Sequence, residues 1–372
     1  MRVIIAGGGT GGHLYPGIAI AEEVTARPGG EVLFVGTARG LEARLVPAAG
    51  YALELLQISG LKRIGWRGLL RGLLRLPRAF FASRAILRRF RPDLVFGVGG
   101  YASGPIVFAA ALTGFPTAIL EQNSRPGFTN RLLGRLVRRV FIAFQASQAF
   151  FAAGKTMLTG NPVRRQFFAG QGTAPAAAAA AAAGTVLVVG GSQGARAVNE
   201  LVVAMAPLLA QRGALPRLVH QTGPTDFERT RASYAALGEA VASAVDVRPY
   251  IDDMPTALAQ ASLVIGRAGA LTLAELAIVG RPAILIPLPT AADDHQTENA
   301  RELAEAGAAL VLRQADATPA ALGDLVAALL SDQPRRAAMA RAMAALGRPG
   351  AARAIVDELE KLAPGAAAGG AS

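Results

Sequence analysis

Residues 262–299 decide the fold, and they read SLVIGRAGALTLAELAIVGRPAILIPLPTAADDHQTEN. The apolar run Leu263–Ile265 predicts a buried strand, Gly266–Gly269 predicts a tight turn, and residues 270–277 predict a helix. A glycine-rich turn between a strand and a helix exposes free N–H groups and the positive end of the helix dipole. The sequence therefore predicts an anion site here, and a diphosphate is a common occupant of such sites.

Polar side chains behind this turn suit a sugar nucleotide. Glu275 falls in the second turn of the predicted helix, where a carboxylate repels phosphate but accepts hydrogen bonds from ribose hydroxyls. Gln296 and Asn299 are three residues apart, so a helix would place their neutral amides on one face, which suits an uncharged sugar. An ordinary strand–helix–strand unit without a ligand explains this stretch, taken alone, equally well.

The same order of strand and glycine loop recurs along the chain. Residues 2–6 precede the loop Gly7–Gly12, residues 94–98 precede Gly99–Gly100, and residues 185–189 precede Gly190–Gly194. Polar groups at the carboxyl ends of parallel strands lie where α/β sheets bind ligands. The resemblance between the unit at the N-terminus and the unit that starts at residue 185 predicts two similar α/β domains facing each other across a cleft.

The N-terminal glycine loop ends at His13, one of three histidines in the chain. A dinucleotide site would need an acidic residue at the end of the second strand, but that strand ends in Gly36 and Thr37, so NAD is disfavoured. His13 has two interpretations: a structural hydrogen bond at the helix start, or a general base beside a bound phosphate. The glycines beside it leave its side chain exposed, which favours the general base.

Composition narrows the class of protein. The chain of 372 residues is 52% apolar, enough for two domains with separate cores, and it contains no cysteine, which excludes disulfides and thiolate chemistry. The N-terminal apolar run is too short for a signal peptide, and no uninterrupted apolar run reaches the roughly 20 residues of a membrane span. The net charge of +12 indicates an anionic partner: nucleic acid, a membrane surface or a phosphorylated substrate.

Residues 59–90 form a basic and amphipathic stretch without an acidic residue. Basic, aromatic and aliphatic side chains alternate in it, which is typical of a segment that lies on an anionic membrane. The alternative is a solvated arginine face above an ordinary apolar stripe. The residues that we predict to touch a membrane are Trp66, Arg67, Leu69, Arg71, Leu73, Arg75, Phe80 and Phe81.

Three segments predict the domain limits. Residues 160–164 read as a hinge, the alanine-rich residues 169–184 read as a surface insertion, and residues 363–372 read as a disordered tail. We therefore expect a first domain at 1–163 and a second at 164–342. A helix at 343–362 is expected to return to the first domain.

Six short motifs follow one another along the chain: Gly8–His13, Gly99–Tyr101, Glu121–Asn123, Gly160–Arg164, Gly190–Gly194 and Gly269–Glu275. In this order they resemble one family, the bacterial N-acetylglucosaminyltransferases that complete the lipid-linked peptidoglycan precursor, the MurG family. The resemblance covers nearly the whole chain outside the alanine-rich insertion and the tail, and it implies two Rossmann-like parallel-sheet domains in the GT-B arrangement.

The resemblance implies an inverting transfer of N-acetylglucosamine from UDP-N-acetylglucosamine to the muramyl 4-hydroxyl of undecaprenyl-diphosphate-linked muramoyl-pentapeptide. It implies a peripheral protein on the cytoplasmic face of the plasma membrane. It implies no metal or other cofactor, since helix dipoles and Arg267 can stabilise the departing UDP.

The resemblance also assigns site residues. The catalytic group is His13, Glu121 and Asn130. The substrate-binding group is Thr10, Gly11, Gly12, Asn123, Arg164, Ser192, Ile251, Arg267, Ala270, Leu271, Thr272, Glu275, Gln296 and Asn299. In this assignment Ile251 meets uracil through its backbone and Glu275 meets the ribose. Leu120 stands where the family usually has a histidine, so proton transfer at the acceptor rests more on His13.

Two other functions remain open at this stage. Another GT-B enzyme, such as a glycolipid synthase or a UDP-N-acetylglucosamine 2-epimerase, shares the donor motifs, but an epimerase would not need the basic stretch. A nucleic-acid-binding protein would account for the charge, but it would want basic residues and exposed aromatics on one surface and would leave the glycine loops unexplained. We therefore expect no nucleic-acid partner.

Overall fold

The computed structural model describes residues 1–38, 40–56, 66–100, 102–168 and 184–363, with residues 66–76 described by their backbone alone. The chain divides into two units. The first comprises residues 1–164 and 348–372, and the second comprises residues 165–347. The alanine-rich insertion at 169–184, apart from Gly184, and the predicted tail, apart from Ala363, lie outside the described residues.

The first unit is built around the strand β1 (Arg2–Gly7), which is buried on both faces. Val3 and Ile5 pack in one apolar cluster, and Ile4 and Ala6 pack in another, because successive side chains of a strand point to opposite faces. Burial on both faces explains why the strand is a continuous apolar run. In the described residues the sheet has seven strands in the order β3-β2-β1-β4-β5-β6-β7, and all of its pairings are parallel.

Before its boundary at Arg164, the first unit has the following helices and strands: β1, α1 (Gly11–Thr25), β2 (Glu31–Gly36), α2 (Glu42–Ala48), β3 (Ala52–Leu55), α3 (Trp66–Phe90), β4 (Leu94–Gly99), α4 (Ser103–Leu112), β5 (Thr117–Glu121), α5 (Phe128–Leu133), β6 (Arg139–Ile142) and β7 (Thr156–Leu158). A 3-10 turn, Gln145–Phe150, precedes the last strand.

The second unit repeats this plan. Its described residues form a six-stranded parallel sheet in the order β10-β9-β8-β11-β12-β13. Its elements are β8 (Val186–Val189), α6 (Arg196–Gln211), β9 (Leu218–Gln221), α7 (Phe227–Ala235), α8 (Glu239–Ala242), β10 (Val245–Arg248), α9 (Met254–Gln260), β11 (Leu263–Gly266), α10 (Ala270–Val279), β12 (Ala283–Leu285), α11 (His295–Glu305), β13 (Ala309–Val311), α12 (Pro319–Ser331) and α13 (Gln333–Ala345). The prediction of two α/β units with parallel sheets is confirmed.

The last helix, α14 (Ala351–Leu362), packs against α1 in the first unit. Ile355, Val356 and Leu359 are fully buried in the same cluster as Val3 and Ile5. The segment expected at 343–362 is therefore not one helix. Its first three residues end α13 in the second unit, and the chain turns at Gly347–Gly350 before α14 begins.

Ion pairs hold α14 on the first unit. The Arg27 guanidinium lies 2.5 Å from Asp357 and 2.6 Å from Glu360, and Arg139 lies 2.5 Å from Glu358. The unit boundaries fall after Arg164 and after Gly347, so Arg164 belongs to the first unit and not to the second as expected. Among the described helices, none is both long enough and apolar enough to cross a membrane.

Candidate active site

Two loops of the second unit lie at the carboxyl ends of β8 and β11, which are neighbours in the sheet. The glycine loop 190–194 follows β8, and the turn 267–269 follows β11. The strand order reverses between them, because β9 lies beyond β8 and β12 lies beyond β11. Open α/β sheets bind ligands at such a switch point.

Two helices point their N-termini at this switch point. Helix α6 begins at Arg196 and helix α10 at Ala270, so the start of α10 lies where the sequence predicts it. Their N-cap residues are Ala195 and Gly269, whose side chains cannot accept the first N–H groups of the helices. These N–H groups therefore remain suited to an anion. The other predicted diphosphate contacts, Ser192, Leu271 and Thr272, are half-buried at the same loops.

Glycines let the loop 190–194 approach the end of β9 closely. A Cβ on Gly194 would lie closer than 3 Å to the Thr222 carbonyl, and a Cβ on Gly223 would lie 2.5 Å from the Gln193 carbonyl oxygen. Gly194 and Gly223 also have φ angles of 76° and 81°, a region that favours glycine. Backbone therefore packs directly on backbone, which fixes the shape of the loop.

Glu275 lies in the second turn of α10, as predicted, and only 7% of its surface is exposed. Arg267 is also buried, and its guanidinium donates to the carbonyls of Ile286 at 2.9 Å and Pro287 at 3.1 Å. A third bond, of 2.7 Å, reaches the Gln314 side chain, and burial lowers the pKa of Arg267. These contacts position the loops after β11 and β12. A direct role of Arg267 in stabilising departing UDP stays a prediction.

Gln296 and Asn299 lie on α11, and the structure separates their roles. Gln296 is half-buried, and its Oε1 accepts the Leu288 N–H at 3.0 Å. Asn299 is fully buried, and its Nδ2 donates to the Ala268 carbonyl at 3.2 Å. Asn299 thus ties the helix to the turn after β11, whereas Gln296 can face a ligand. Asp293 and Asp294 precede α11 with φ of 54° each, a strained conformation of the kind that clusters at functional sites.

The glycine loop of the first unit encloses a carboxylate that the sequence analysis missed. Glu42 is fully buried, its Oε2 accepts the Gly9 N–H at 2.7 Å, and its Oε1 accepts the Thr37 N–H and hydroxyl at 2.8 Å each. Burial raises the pKa of Glu42, but the hydrogen bonds from Gly9 and Thr37 outweigh burial and lower it overall. Glu42 is therefore an ionised anchor for the loop.

Room for this carboxylate is made by glycines. A Cβ on Gly8 or Gly40 would lie closer than 3 Å to the Glu42 carboxyl group, and a Cβ on Gly36 would lie 2.5 Å from Glu42 Cγ. The signal in the sequence was an acidic residue shortly after a strand, preceded by Gly36 and Gly40. Gly9 gives its N–H to this internal carboxylate, so that N–H cannot also bind an anion. The predicted contacts Gly11 and Gly12 form the first turn of α1, and their binding of a ligand stays a prediction.

The loops after β1 and β4 pack together at the switch point of the first sheet. A Cβ on Gly100 would lie closer than 3 Å to the Gly8 carbonyl oxygen, and a Cβ on Gly99 would lie 2.6 Å from His13 Nδ1. His13 is half-buried in the first turn of α1, and Thr10 is the exposed N-cap residue. The structure therefore seats the imidazole of His13 directly over the glycine loop after β4.

Glu121, Asn123 and Asn130 come together after β5. The Glu121 carboxylate accepts the Asn123 N–H at 2.9 Å and the Asn130 Nδ2 at 2.8 Å. Glu121 is 2% exposed and Asn130 is 6% exposed. Burial raises the pKa of Glu121, and hydrogen bonds from Asn123, Asn130 and Gly127 oppose the rise only in part. This geometry is that of residues that shape a loop, and Asn123 is the half-buried member that can reach a ligand.

Leu120 and Arg164 also find physical explanations within the first unit. Leu120 is fully buried in the apolar cluster of the sheet, so an aliphatic side chain fits this position. Arg164 stacks its guanidinium 4.3 Å above the centre of the Tyr15 ring of α1. Arg164 therefore packs on α1 of the first unit, and its contact with UDP-N-acetylglucosamine stays a prediction.

Most of the predicted membrane residues lie where only the backbone is described: Trp66, Arg67, Leu69, Arg71, Leu73 and Arg75. Phe80 is partly buried against the core, and Phe81 is 64% exposed. Phe80 contacts two aromatic rings, Phe81 with centroids 5.8 Å apart and Phe108 of α4 with centroids 6.4 Å apart.

Two family models match this chain. The N-terminal domain of glycosyltransferase family 28 matches residues 3–142, and its C-terminal domain matches residues 185–355. Relatives in Anaeromyxobacter dehalogenans, strain 2CP-1, and Myxococcus xanthus are 49% and 50% identical, over 96% of this chain and 92% of theirs. Both are named UDP-N-acetylglucosamine–N-acetylmuramyl-(pentapeptide) pyrophosphoryl-undecaprenol N-acetylglucosamine transferase.

Solved structures agree with these matches. The crystal structure of MurG from Acinetobacter baumannii is 33% identical, with a TM-score of 0.77, and the match covers 97% of this chain and 99% of that one. A UDP-GlcNAc 2-epimerase from Neisseria meningitidis, with its UDP-GlcNAc bound, has a TM-score of 0.69 at 14% identity, with 97% and 100% of the two chains covered, so it shares the fold alone. The chain belongs to glycosyltransferase family 28 and, within it, to the MurG family of N-acetylglucosamine transferases.

Proposed function

We propose that this chain transfers N-acetylglucosamine from UDP-N-acetylglucosamine to the muramyl 4-hydroxyl of undecaprenyl-diphosphate-linked muramoyl-pentapeptide. One observation carries the proposal: the turn 266–269 presents the start of α10 at a sheet switch point, with Glu275 one turn behind it. This arrangement suits a diphosphate at the helix start and a ribose at the carboxylate. The relatives supply the identity of the sugar and of the acceptor.

In the proposed reaction, the acceptor 4-hydroxyl oxygen attacks C1 of the sugar on the face opposite UDP. The new C–O bond forms as the bond from C1 to the diphosphate oxygen breaks, which inverts the configuration at C1. The starts of α6 and α10 stabilise the negative charge that develops on UDP. His13 takes the proton of the hydroxyl, because both carboxylate oxygens of Glu121 already accept hydrogen bonds inside the protein.

The direct test uses radiolabelled UDP-N-acetylglucosamine and the lipid-linked acceptor, with the product extracted into butanol. Label in the butanol phase that depends on both substrates is the expected result. Release of free sugar, or conversion of UDP-N-acetylglucosamine without the acceptor, would contradict the transfer and favour an epimerase.

Glu275→Ala should weaken UDP binding about ten- to a hundredfold. A hydrogen bond to a charged group contributes about 1.5 to 3 kcal/mol, and Glu275 is buried beside the proposed ribose position. Calorimetry with UDP measures this effect. Glu305→Ala is the matched control, since Glu305 is an exposed glutamate at the end of α11 and should leave the affinity unchanged. Equal UDP affinity in the two variants would reject the ribose assignment.

The first unit is also proposed to lie on an anionic bilayer at the cytoplasmic face of the plasma membrane, as a peripheral protein. Helices α3 and α4 pack together and expose apolar side chains side by side, with Phe81 64%, Phe108 39% and Leu112 58% exposed. α5 packs against α4 and exposes Phe128 and Leu132 as well. Exposed apolar residues next to basic ones support membrane contact. A lipid-linked acceptor requires such contact.

Replacing Arg67, Arg71 and Arg75 together by Gln should reduce binding to phosphatidylglycerol vesicles about tenfold at physiological salt. Each basic residue near an anionic leaflet contributes about 1 kcal/mol, reduced by screening. Sedimentation at two salt concentrations measures binding and its salt dependence. The control replaces Arg196, Arg212 and Arg231 of the second unit, which are 71%, 50% and 63% exposed. If both triple variants bind vesicles equally well, the arginines of α3 are only a solvated face.

A further inference from the structure

Gln221, the last residue of β9, lies between two loops of the nucleotide site and contacts both. We propose that Gln221 is a positioning residue that couples the phosphate loop 190–194 to the base loop 249–252, so that the two halves of UDP bind cooperatively. The inference rests on the proposed function, and it names a residue that the sequence motifs did not indicate.

The side chain of Gln221 uses both ends of its amide. Its Nε2 donates to the Gly191 carbonyl at 3.1 Å, and its Oε1 accepts the Ile251 N–H at 2.9 Å. Gln221 is 2% exposed, so these bonds are shielded from water. A side-chain amide carries an NH2 donor and a carbonyl oxygen acceptor on the same carbon. It can therefore bind the carbonyl of one loop and the N–H of another at the same time. The amide therefore fixes the distance between the two loops.

Gly191 depends on this hydrogen bond more than the rest of its loop does. Gly194 is packed tightly against Thr222, but a Cβ on Gly191 would meet no heavy atom within 4 Å. Gly191 also has a φ of 89°, and glycine, which has no Cβ, can leave this conformation as readily as it adopts it. The Gly191 carbonyl also accepts the Gly194 N–H at 2.9 Å, but that bond lies within the loop, so the bond from Gln221 is the one that ties this outer part of the phosphate loop to β9.

The strand end that carries Gln221 is itself rigid. Buried His220 bonds to Tyr234 through Nδ1 at 2.9 Å and to Asn199 Oδ1 through Nε2 at 3.1 Å. Because Asn199 donates its Nδ2 to the Thr222 carbonyl, its Oδ1 must accept, so Nε2 of His220 carries the proton. Burial lowers the pKa of His220 to about 3, which keeps the ring neutral at neutral pH.

Coupling follows from holding both loops at one spacing. UDP would touch both loops at once, so its affinity is higher when the spacing between the loops is already set before binding. Uridine would touch only the base loop, and inorganic diphosphate would touch only the phosphate loop. The affinity of each fragment therefore depends less on the spacing between the loops. Loss of Gln221 should therefore penalise UDP more than either fragment.

Two substitutions test the two hydrogen bonds of the Gln221 amide. Gln221→Leu removes both hydrogen bonds, whereas Gln221→Glu keeps the acceptor for Ile251 and places a second acceptor against the Gly191 carbonyl. We expect both variants to lower UDP affinity at least about tenfold in calorimetry, with the larger loss in Gln221→Glu. Uridine affinity should change less than about threefold in either variant. The KM for UDP-sugar should rise while the KM for the lipid acceptor stays constant.

Arg336→Met provides the control for general destabilisation. Arg336 is buried in the same unit and donates to the carbonyls of Leu329 and Leu330 at the end of α12, away from both loops. It should lower the melting temperature without changing UDP affinity. Unchanged UDP affinity in Gln221→Leu, or equal losses for UDP and uridine, would overturn the coupling. A parent protein that fails to bind UDP would instead reject the proposed function.

Discussion

Gly194→Ala is expected to reduce UDP binding below detection and to lower the free energy of unfolding by about 3 to 5 kcal/mol. The added Cβ would lie closer than 3 Å to the Thr222 carbonyl, and backbone atoms cannot move aside as the end of a flexible side chain can. A φ of 76° adds strain of about 1 to 3 kcal/mol for alanine, and overpacking adds a similar amount. Calorimetry with UDP and chemical denaturation measure the two effects.

Gly191→Ala is the matched control for this prediction. Gly191 has a similar φ of 89°, but an added Cβ there would meet no heavy atom within 4 Å. Its loss in unfolding free energy should therefore be confined to the conformational part, about 1 to 2 kcal/mol. If the two alanine variants unfold with the same free energy, the close approach of Gly194 to Thr222 does not hold the loop.

Glu42→Ala should remove acceptor-dependent turnover and destabilise the first unit by about 3 to 5 kcal/mol. The substitution leaves three partly buried donors, on Gly9 and Thr37, without their acceptor, and a hydrogen bond to a charged group contributes about 1.5 to 3 kcal/mol. The loop that carries His13 then loses its anchor. UDP affinity, a property of the second unit, should not change.

Glu54→Ala is the control for Glu42→Ala in the same unit. The Glu54 side chain is 38% exposed and pairs with Arg89 at the surface, where such a pair contributes at most about 1 kcal/mol. Hydrogen exchange should show faster exchange around the first glycine loop in Glu42→Ala only. Normal acceptor-dependent turnover in Glu42→Ala would mean that the loop keeps its shape without the carboxylate.

The pH dependence of the Glu42 contribution follows from the sign of its shift. Burial opposes ionisation, yet the hydrogen bonds from Gly9 and Thr37 hold the pKa below the usual 4.5 of a glutamate. A lowered pKa in the folded state stabilises the protein above the unfolded-state pKa, and that stability is lost as the pH falls through the folded-state pKa. The difference in unfolding free energy between wild type and Glu42→Ala should thus be constant at neutral pH and narrow below about pH 4.5.

The sequence predicts the strands, the glycine loops and the position of Glu275 because these depend on local signals. Apolar runs indicate the strands, and glycines indicate the turns that follow them. It does not predict which polar residues point inward. The structure shows Glu121, Arg267 and Asn299 buried with hydrogen bonds to their own protein, and their roles as ligand contacts stay predictions. Spacing along a strand or a helix cannot distinguish these two outcomes.

Gln221 could not be found from the sequence for a different reason. Its two partners lie 30 residues before it and 30 residues after it, on loops that only the sheet brings together. Glu42 is 33 residues from Gly9, although the glycines at 36 and 40 gave a local sign of it. Local patterns thus predict the backbone of the site better than the side chains that hold it.

The return of α14 to the first unit makes the second unit, residues 165–347, an insertion within the first. A ribosome therefore releases all residues of the second unit before it releases Ile355, Val356 and Leu359, which complete the first core. The first unit cannot complete its core until these residues are released, and part of its apolar surface stays uncovered until then. The second unit can finish folding earlier. A nonsense mutation after residue 347 would then disable the N-terminal half of the enzyme and spare the half next to the lesion.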